Sequence, residues 1–222
     1  IPKNAGKSIT ASCPSVPTSP RYMSDKMIAI ELASAHSPYT MHSPYKPNET
    51  QPGHKHIPYS YLSRDKIAIF DRSFAVVRNP WSRMVSLYNH ADTIYPQMNK
   101  TWYGQEKLSW DEFFDRIETF RMNSSYYWNH PYDQWASQLD WISIGSKIKT
   151  DVLRFENIQD DINSYFDNDI ILQKHNILTY DRDYKEYYTE EQKQKIANWF
   201  RMDINYWGFT FESGATRNYW TK

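Results

Sequence analysis

Ile1-Pro2-Lys3-Asn4-Ala5-Gly6-Lys7-Ser8-Ile9 opens the chain, in the order of a strand end, a tight turn and a helix N-terminus. Free backbone N–H groups at such a turn converge on one point, and the helix dipole adds partial positive charge there. Lys3, Lys7 and the Ser8 hydroxyl complete an anion cradle suited to phosphate or sulfate. The nucleotide P-loop places a glycine, then four residues, before its Gly-Lys-Ser. Counted back from Gly6 that position is Ile1, so the Walker pattern fails. Taken alone, the stretch reads equally as an anion cradle or as a basic chain end.

Phe74-Ala75-Val76-Val77-Arg78-Asn79-Pro80-Trp81-Ser82-Arg83-Met84-Val85-Ser86-Leu87-Tyr88 reads as a buried strand, a proline-marked turn and an amphipathic helix. Pro80 suits a first helical turn, and Met84, Val85, Leu87 and Tyr88 form the apolar face. Arg78 ends the strand, where open α/β sheets place ligand contacts. Arg78 offers a charged fork and Ser86 a hydroxyl donor two helical turns on, so the two can hold a second phosphate. The structural alternatives are a surface ion pair for Arg78 and a small helix-contact residue for Ser86.

Together, Pro-Lys-Asn-Ala-Gly-Lys-Ser and Val-Arg-Asn-Pro-Trp-Ser-Arg-Met-Val-Ser-Leu-Tyr resemble the two nucleotide-binding motifs of sulfotransferases that use PAPS (3′-phosphoadenosine 5′-phosphosulfate). The likeness is to the carbohydrate branch that includes heparan sulfate 2-O-sulfotransferase and bacterial relatives. It is weak over 11–53 and 92–129. The resemblance implies that Lys3, Asn4, Ala5, Gly6, Lys7 and Ser8 bind the 5′-phosphosulfate, and that Arg78 and Ser86 bind the 3′-phosphate. It also implies a P-loop-like α/β fold in three layers, a central mostly parallel sheet with helices on both faces. In that fold a strand precedes the phosphosulfate loop, and here it would lie before residue 1.

The 222 residues are expected to form one domain, 1–222. Lys plus Arg and Asp plus Glu both number 26, so no global charge draws the chain to nucleic acid or to a membrane surface. Aromatics reach 17%, with 18 Tyr and 9 Trp. Some can line a sugar cleft, while most serve packing. The single Cys13 cannot form an intrachain disulfide, which favours a reducing compartment. No signal peptide or membrane-length apolar run is visible, so the expected location is cytoplasmic. A Golgi lumen placement requires an anchor removed from the N-terminus. The sequence leaves the oligomeric state open.

Along the chain, Ser24-Asp25-Lys26 reads as a helix start and 37–53 as a surface loop able to line an acceptor cleft. Gly53-His54-Lys55-His56-Ile57-Pro58-Tyr59 places two histidines on one face if extended. A metal site is a weak reading, since no Cys or carboxylate cluster stands nearby. The resemblance carries the catalytic base to His56, whose neutral imidazole can accept a hydroxyl proton; the other reading is a structural histidine. Ser109 and Glu112 have capping-box spacing, and the helix from Pro80 is expected to reach about Asp92. Asp151 to Ile158 reads as a strand passing into a helix. The resemblance makes the segment from His175 to Thr189 a loop over the adenosine and 3′-phosphate, with Arg182 as its charged contact. Thr189 caps a last long helix, which Gly208 stops.

The expected function is transfer of a sulfuryl group from PAPS to a hydroxyl, with a saccharide as acceptor and PAP as product. His56 acts as base, Lys3 neutralises charge on the bridging oxygen, and no metal is required. The alternatives are a P-loop ATP-dependent kinase, with Asp71 on magnesium, or a non-catalytic nucleotide-binding module. The kinase lacks its first glycine and leaves Arg78 and Ser86 unexplained.

Overall fold

The fold comes from a computed structural model that describes residues 74–97, 108–122, 137–167, 171–172 and 182–218. The elements in chain order are β1 (Phe74–Val77), α1 (Pro80–Gln97), α2 (Trp110–Met122), α3 (Gln138–Ile142), β2 (Ser143–Ile144), β3 (Lys147–Ile148), β4 (Asp151–Arg154), α4 (Ile158–Phe166), α5 (Glu190–Trp199) and α6 (Arg201–Trp207). Among the described residues the chain divides into two compact units. One holds β1 and 138–172, and the other holds 78–137 and 182–215.

In the first unit, β1 and β4 pair in parallel, from Phe74 opposite Asp151 to Val77 opposite Arg154. Val152 and Leu153 are consecutive and both fully buried, as expected of a parallel strand covered on both faces. Val76, Leu153, Ile162 and Tyr165 form the core, with Phe74 and Phe166 packed against it. Burying these apolar groups contributes about 1.5–3 kcal/mol each. The Tyr165 hydroxyl reaches Asp151 Oδ2 at 2.8 Å, so its one polar atom is satisfied. Asp161, only 2% exposed, accepts from the Arg154 main-chain N–H at 2.7 Å and from its Nε at 3.0 Å and Nη2 at 2.5 Å. That fork holds the Arg154 guanidinium in its charged form and raises its pKa. The segment is structural, and the strand-to-helix order expected from the sequence is present, through a short 3-10 turn at Phe155–Asn157.

The antiparallel hairpin of β2 and β3 was not foreseen. Each strand has two residues, too few for an alternating pattern to register. Its turn uses Gly145 at φ 58, a conformation glycine adopts without strain.

In the second unit, Trp81, Met84, Val85 and Tyr88 face inward from α1 and Trp110, Phe113, Phe114 and Ile117 from α2. Both sets follow the i, i+3, i+4, i+7 spacing of one helical face. Phe114 stacks on Trp199 of α5 at 5.1 Å, and Trp110 meets Tyr88 edge-on at 5.4 Å. The Ser109–Glu112 capping box forms as expected, with Ser109 N donating to Glu112 Oε2 at 2.8 Å and Glu112 N to Ser109 Oγ at 3.3 Å. Thr189 forms a second box with Gln192, and Gly208 closes α6 at φ 72.

Two boundaries differ from expectation. Helix α1 continues through Gln97, beyond the expected end near Asp92, and takes in Pro96 in its last turn. The last long helix is two helices, because Phe200 turns to ψ 25 where its ring is almost wholly buried. A buried phenylalanine carries no breaker signal, so the sequence hides that bend. Among the described residues no helix is long and apolar enough to cross a membrane.

Candidate functional site

The head of α1 follows directly on the carboxyl end of β1 in the chain, through Arg78 and Asn79. Asn79 is the helix cap. Its Oδ1 accepts from Trp81 N at 3.0 Å and Ser82 N at 3.3 Å, and its carbonyl accepts from Arg83 N at 2.8 Å. Pro80, at the first helical position, has no N–H to satisfy. The first-turn amides are therefore already engaged, and any anion at this helix end must be held by side chains. Asn79 also donates through Nδ2 to the carbonyls of Thr210 at 2.8 Å and Ser213 at 2.9 Å.

Arg78 is 8% exposed, so it is a buried residue and not one on the open surface. Its Nε and Nη2 donate to one oxygen, Ser82 Oγ, at 3.0 and 2.8 Å. Ser86 stands one helical turn beyond Ser82 and is also buried. Residues four apart share a helix face, so Arg78, Ser82 and Ser86 make a polar stripe beside the apolar face of Trp81, Met84 and Val85.

Arg182 belongs to the same unit. Its guanidinium carbon lies 4.0 Å over the Tyr187 ring, and the Tyr187 hydroxyl accepts from Asn89 Nδ2 at 3.4 Å. Asn89 follows Ser86 by three residues, again on one face. The Tyr187 ring is braced edge-on by Trp110 at 5.4 Å. Tyr188 donates its hydroxyl to the Trp81 carbonyl at 2.9 Å, and burial pushes its pKa well up. It is a structural donor at neutral pH. The segment after Arg182 is thus fastened to α1 at two points.

A guanidinium, two hydroxyls on one helix face and a second arginine on an aromatic shelf suit a multiply charged phosphate, through charge-assisted bonds. The sulfotransferase family profile matches residues 17–210. This chain belongs to the sulfotransferase family. Sulfuryl transfer to a hydroxyl acceptor is its class of activity, and a P-loop-like α/β fold accords with the parallel β1–β4 pair. No curated protein and no solved structure matches this sulfotransferase.

Of the residues singled out in the sequence, Arg78, Ser86 and Arg182 fall in one unit of the sulfotransferase, on or linked to α1. Lys3, Asn4, Ala5, Gly6, Lys7, Ser8 and His56 lie outside the described residues. The first six also precede the matched span, whereas His56 lies within it. Sequence reading passed over Asn79, Ser82 and Tyr187. Asn-Pro is a cap-plus-first-residue signal, and Arg78 to Ser82 is an i, i+4 spacing, so two of the three had a local signature. Tyr187 had none, since its partners lie far away in sequence.

Proposed function

We propose that this sulfotransferase transfers a sulfuryl group from PAPS to a carbohydrate hydroxyl. The observation that carries the reading is the stripe of Arg78, Ser82 and Ser86 on α1, where Asn79 has engaged the helix amides and left side chains to meet an anion. Arg78 and Ser86 hold the 3′-phosphate, and Arg182 adds a second positive charge from its Tyr187 shelf. Lys3, Lys7 and Ser8, with the backbone of Asn4, Ala5 and Gly6, orient the phosphosulfate. The fold expected around them is the three-layer P-loop-like domain, 1–222, with helices on both faces of the sheet.

When bound, PAPS supplies an activated sulfuryl group and the product PAP departs from it. His56 accepts the proton of the attacking hydroxyl, a role open to a neutral imidazole at working pH. Lys3 meets negative charge as it grows on the bridging oxygen, and fixed charge of this kind is often the largest contribution to catalysis.

The test has two arms. Calorimetry with PAP in the absence of magnesium should show binding, and radiolabel from PAPS should move to a sugar acceptor in preference to a phenol or a steroid. Binding of Mg-ATP alone would overturn the PAPS assignment. Label appearing on phenols alone would overturn the carbohydrate one.

A further inference from the structure

The Ser82 hydroxyl has one hydrogen and two lone pairs to offer. Arg78 occupies both lone pairs, through Nε at 3.0 Å and Nη2 at 2.8 Å. The hydroxyl hydrogen is therefore directed elsewhere as a donor. Among the described residues, no hydrogen bond runs from Ser82 Oγ to an acceptor. Accepting two bonds from a cation also polarises an O–H and makes it a stronger donor. Ser82 is half-buried, and the two bonds from Arg78 fix the orientation of its hydroxyl.

The surroundings narrow what that ligand can be. The Trp81 and Ser82 amides are spent on Asn79 Oδ1, so neither competes for the ligand or supplements it. An oxygen that accepts only, with negative charge beside the guanidinium, matches the donor best. A terminal phosphate has such oxygens, and a ribose hydroxyl is a poorer match because it carries its own hydrogen and no charge.

We propose that Ser82 is a direct ligand of the phosphate held by Arg78 and Ser86, and that its hydroxyl hydrogen helps the site select a terminal phosphate over a free hydroxyl. This rests on the reading of Arg78 and Ser86 as the 3′-phosphate site. Ser82 acts twice: it accepts from Arg78 and so fixes the guanidinium, and it donates to the anion.

Calorimetry of the full chain with PAP and with adenosine 5′-phosphosulfate, which lacks the 3′-phosphate, separates the two roles. Ser82→Ala should weaken PAP about ten-fold, in the range for a bond to a charged group, and leave adenosine 5′-phosphosulfate within two-fold. Ser82→Thr retains the hydroxyl and should restore PAP affinity. Ser82→Asp still accepts from Arg78, and an acid in the first helical turn is favourable to the fold. With no hydrogen to donate and a charge that repels phosphate, it should weaken PAP more than alanine does. PAP affinity kept by Ser82→Asp would reduce Ser82 to an anchor for Arg78, and affinity kept by Ser82→Ala would remove it from the site. A wild-type protein that fails to prefer PAP over adenosine 5′-phosphosulfate would instead sink the underlying assignment of Arg78 and Ser86.

Discussion

The side-chain amide of Asn79 donates to the Thr210 carbonyl at 2.8 Å, across 131 residues of sequence. The same side chain caps α1 through Oδ1, so one residue both starts the helix and fastens a distant turn to it. Loss of a cap costs about 0.5–2 kcal/mol, and a buried group left unpaired about 1–3 kcal/mol. Asn79→Ala should lower the unfolding free energy by about 2–4 kcal/mol in urea titrations. Asn79→Asp keeps the cap and loses the donors, so it should lose roughly half as much. Equal losses for the two variants would show that the cap contributes nothing measurable.

Arg78 is the charged centre of the proposed 3′-phosphate site. Arg78→Ala should weaken PAP binding by about 1.5–3 kcal/mol, the range for hydrogen bonds to charged groups. Adenosine 5′-phosphosulfate should be affected far less. Parallel losses for both ligands in calorimetry would place Arg78 outside the site.

Tyr187 supports Arg182 through its ring face. A cation over an aromatic ring contributes about 0.5–1 kcal/mol at an exposed site. Tyr187→Leu should weaken PAP by roughly two- to five-fold through the loss of that stacking. Tyr187→Phe keeps the face and gives up only the long bond from Asn89, so it should stay near wild type. PAP affinity untouched by Tyr187→Leu would mean that Arg182 does not need its shelf.

His56 is the proposed base. A group that takes a proton only in the transition state affects turnover and spares ground-state binding. His56→Ala should reduce kcat by about 10²–10⁴, with PAPS affinity nearly intact, and His54→Ala should cost less. Near-normal turnover by His56→Ala at saturating substrates would place the base elsewhere.

Glu112 gives a pH signature to the start of α2. Hydrogen bonds from the Ser109 side chain and backbone lower its pKa below the ordinary carboxylate value of 4.5. A depressed folded-state pKa gives stability that is present above the unfolded value and lost as pH falls through the folded one. The stability gap between wild type and Glu112→Gln should therefore be constant from neutral pH to near 5, then close as the solution is acidified. A gap that widens in acid, followed by urea unfolding at each pH, would reverse the assigned sign.

Much of the chain's architecture is written in interactions that reach only three or four residues. The inward faces of α1 and α2, the boxes at Ser109 and Thr189, and the start of α1 at Pro80 depend on helical spacing and on side chains bonding nearby amides. They form in whatever tertiary setting the helix finds, so the sequence by itself determined them. That Ser86 lies on α1 eight residues after Arg78 was legible for the same reason. Tertiary structure alone decided the parallel pairing of β1 with β4, the bond from Asn79 to Thr210, the Tyr187 shelf under Arg182 and the bend at Phe200. Each depends on which distant surface a side chain meets once apolar faces are buried. A hydrogen-bond donor in a sequence carries no mark of its partner, and many acceptors are within reach of a collapsing chain. Only the packed core selects one.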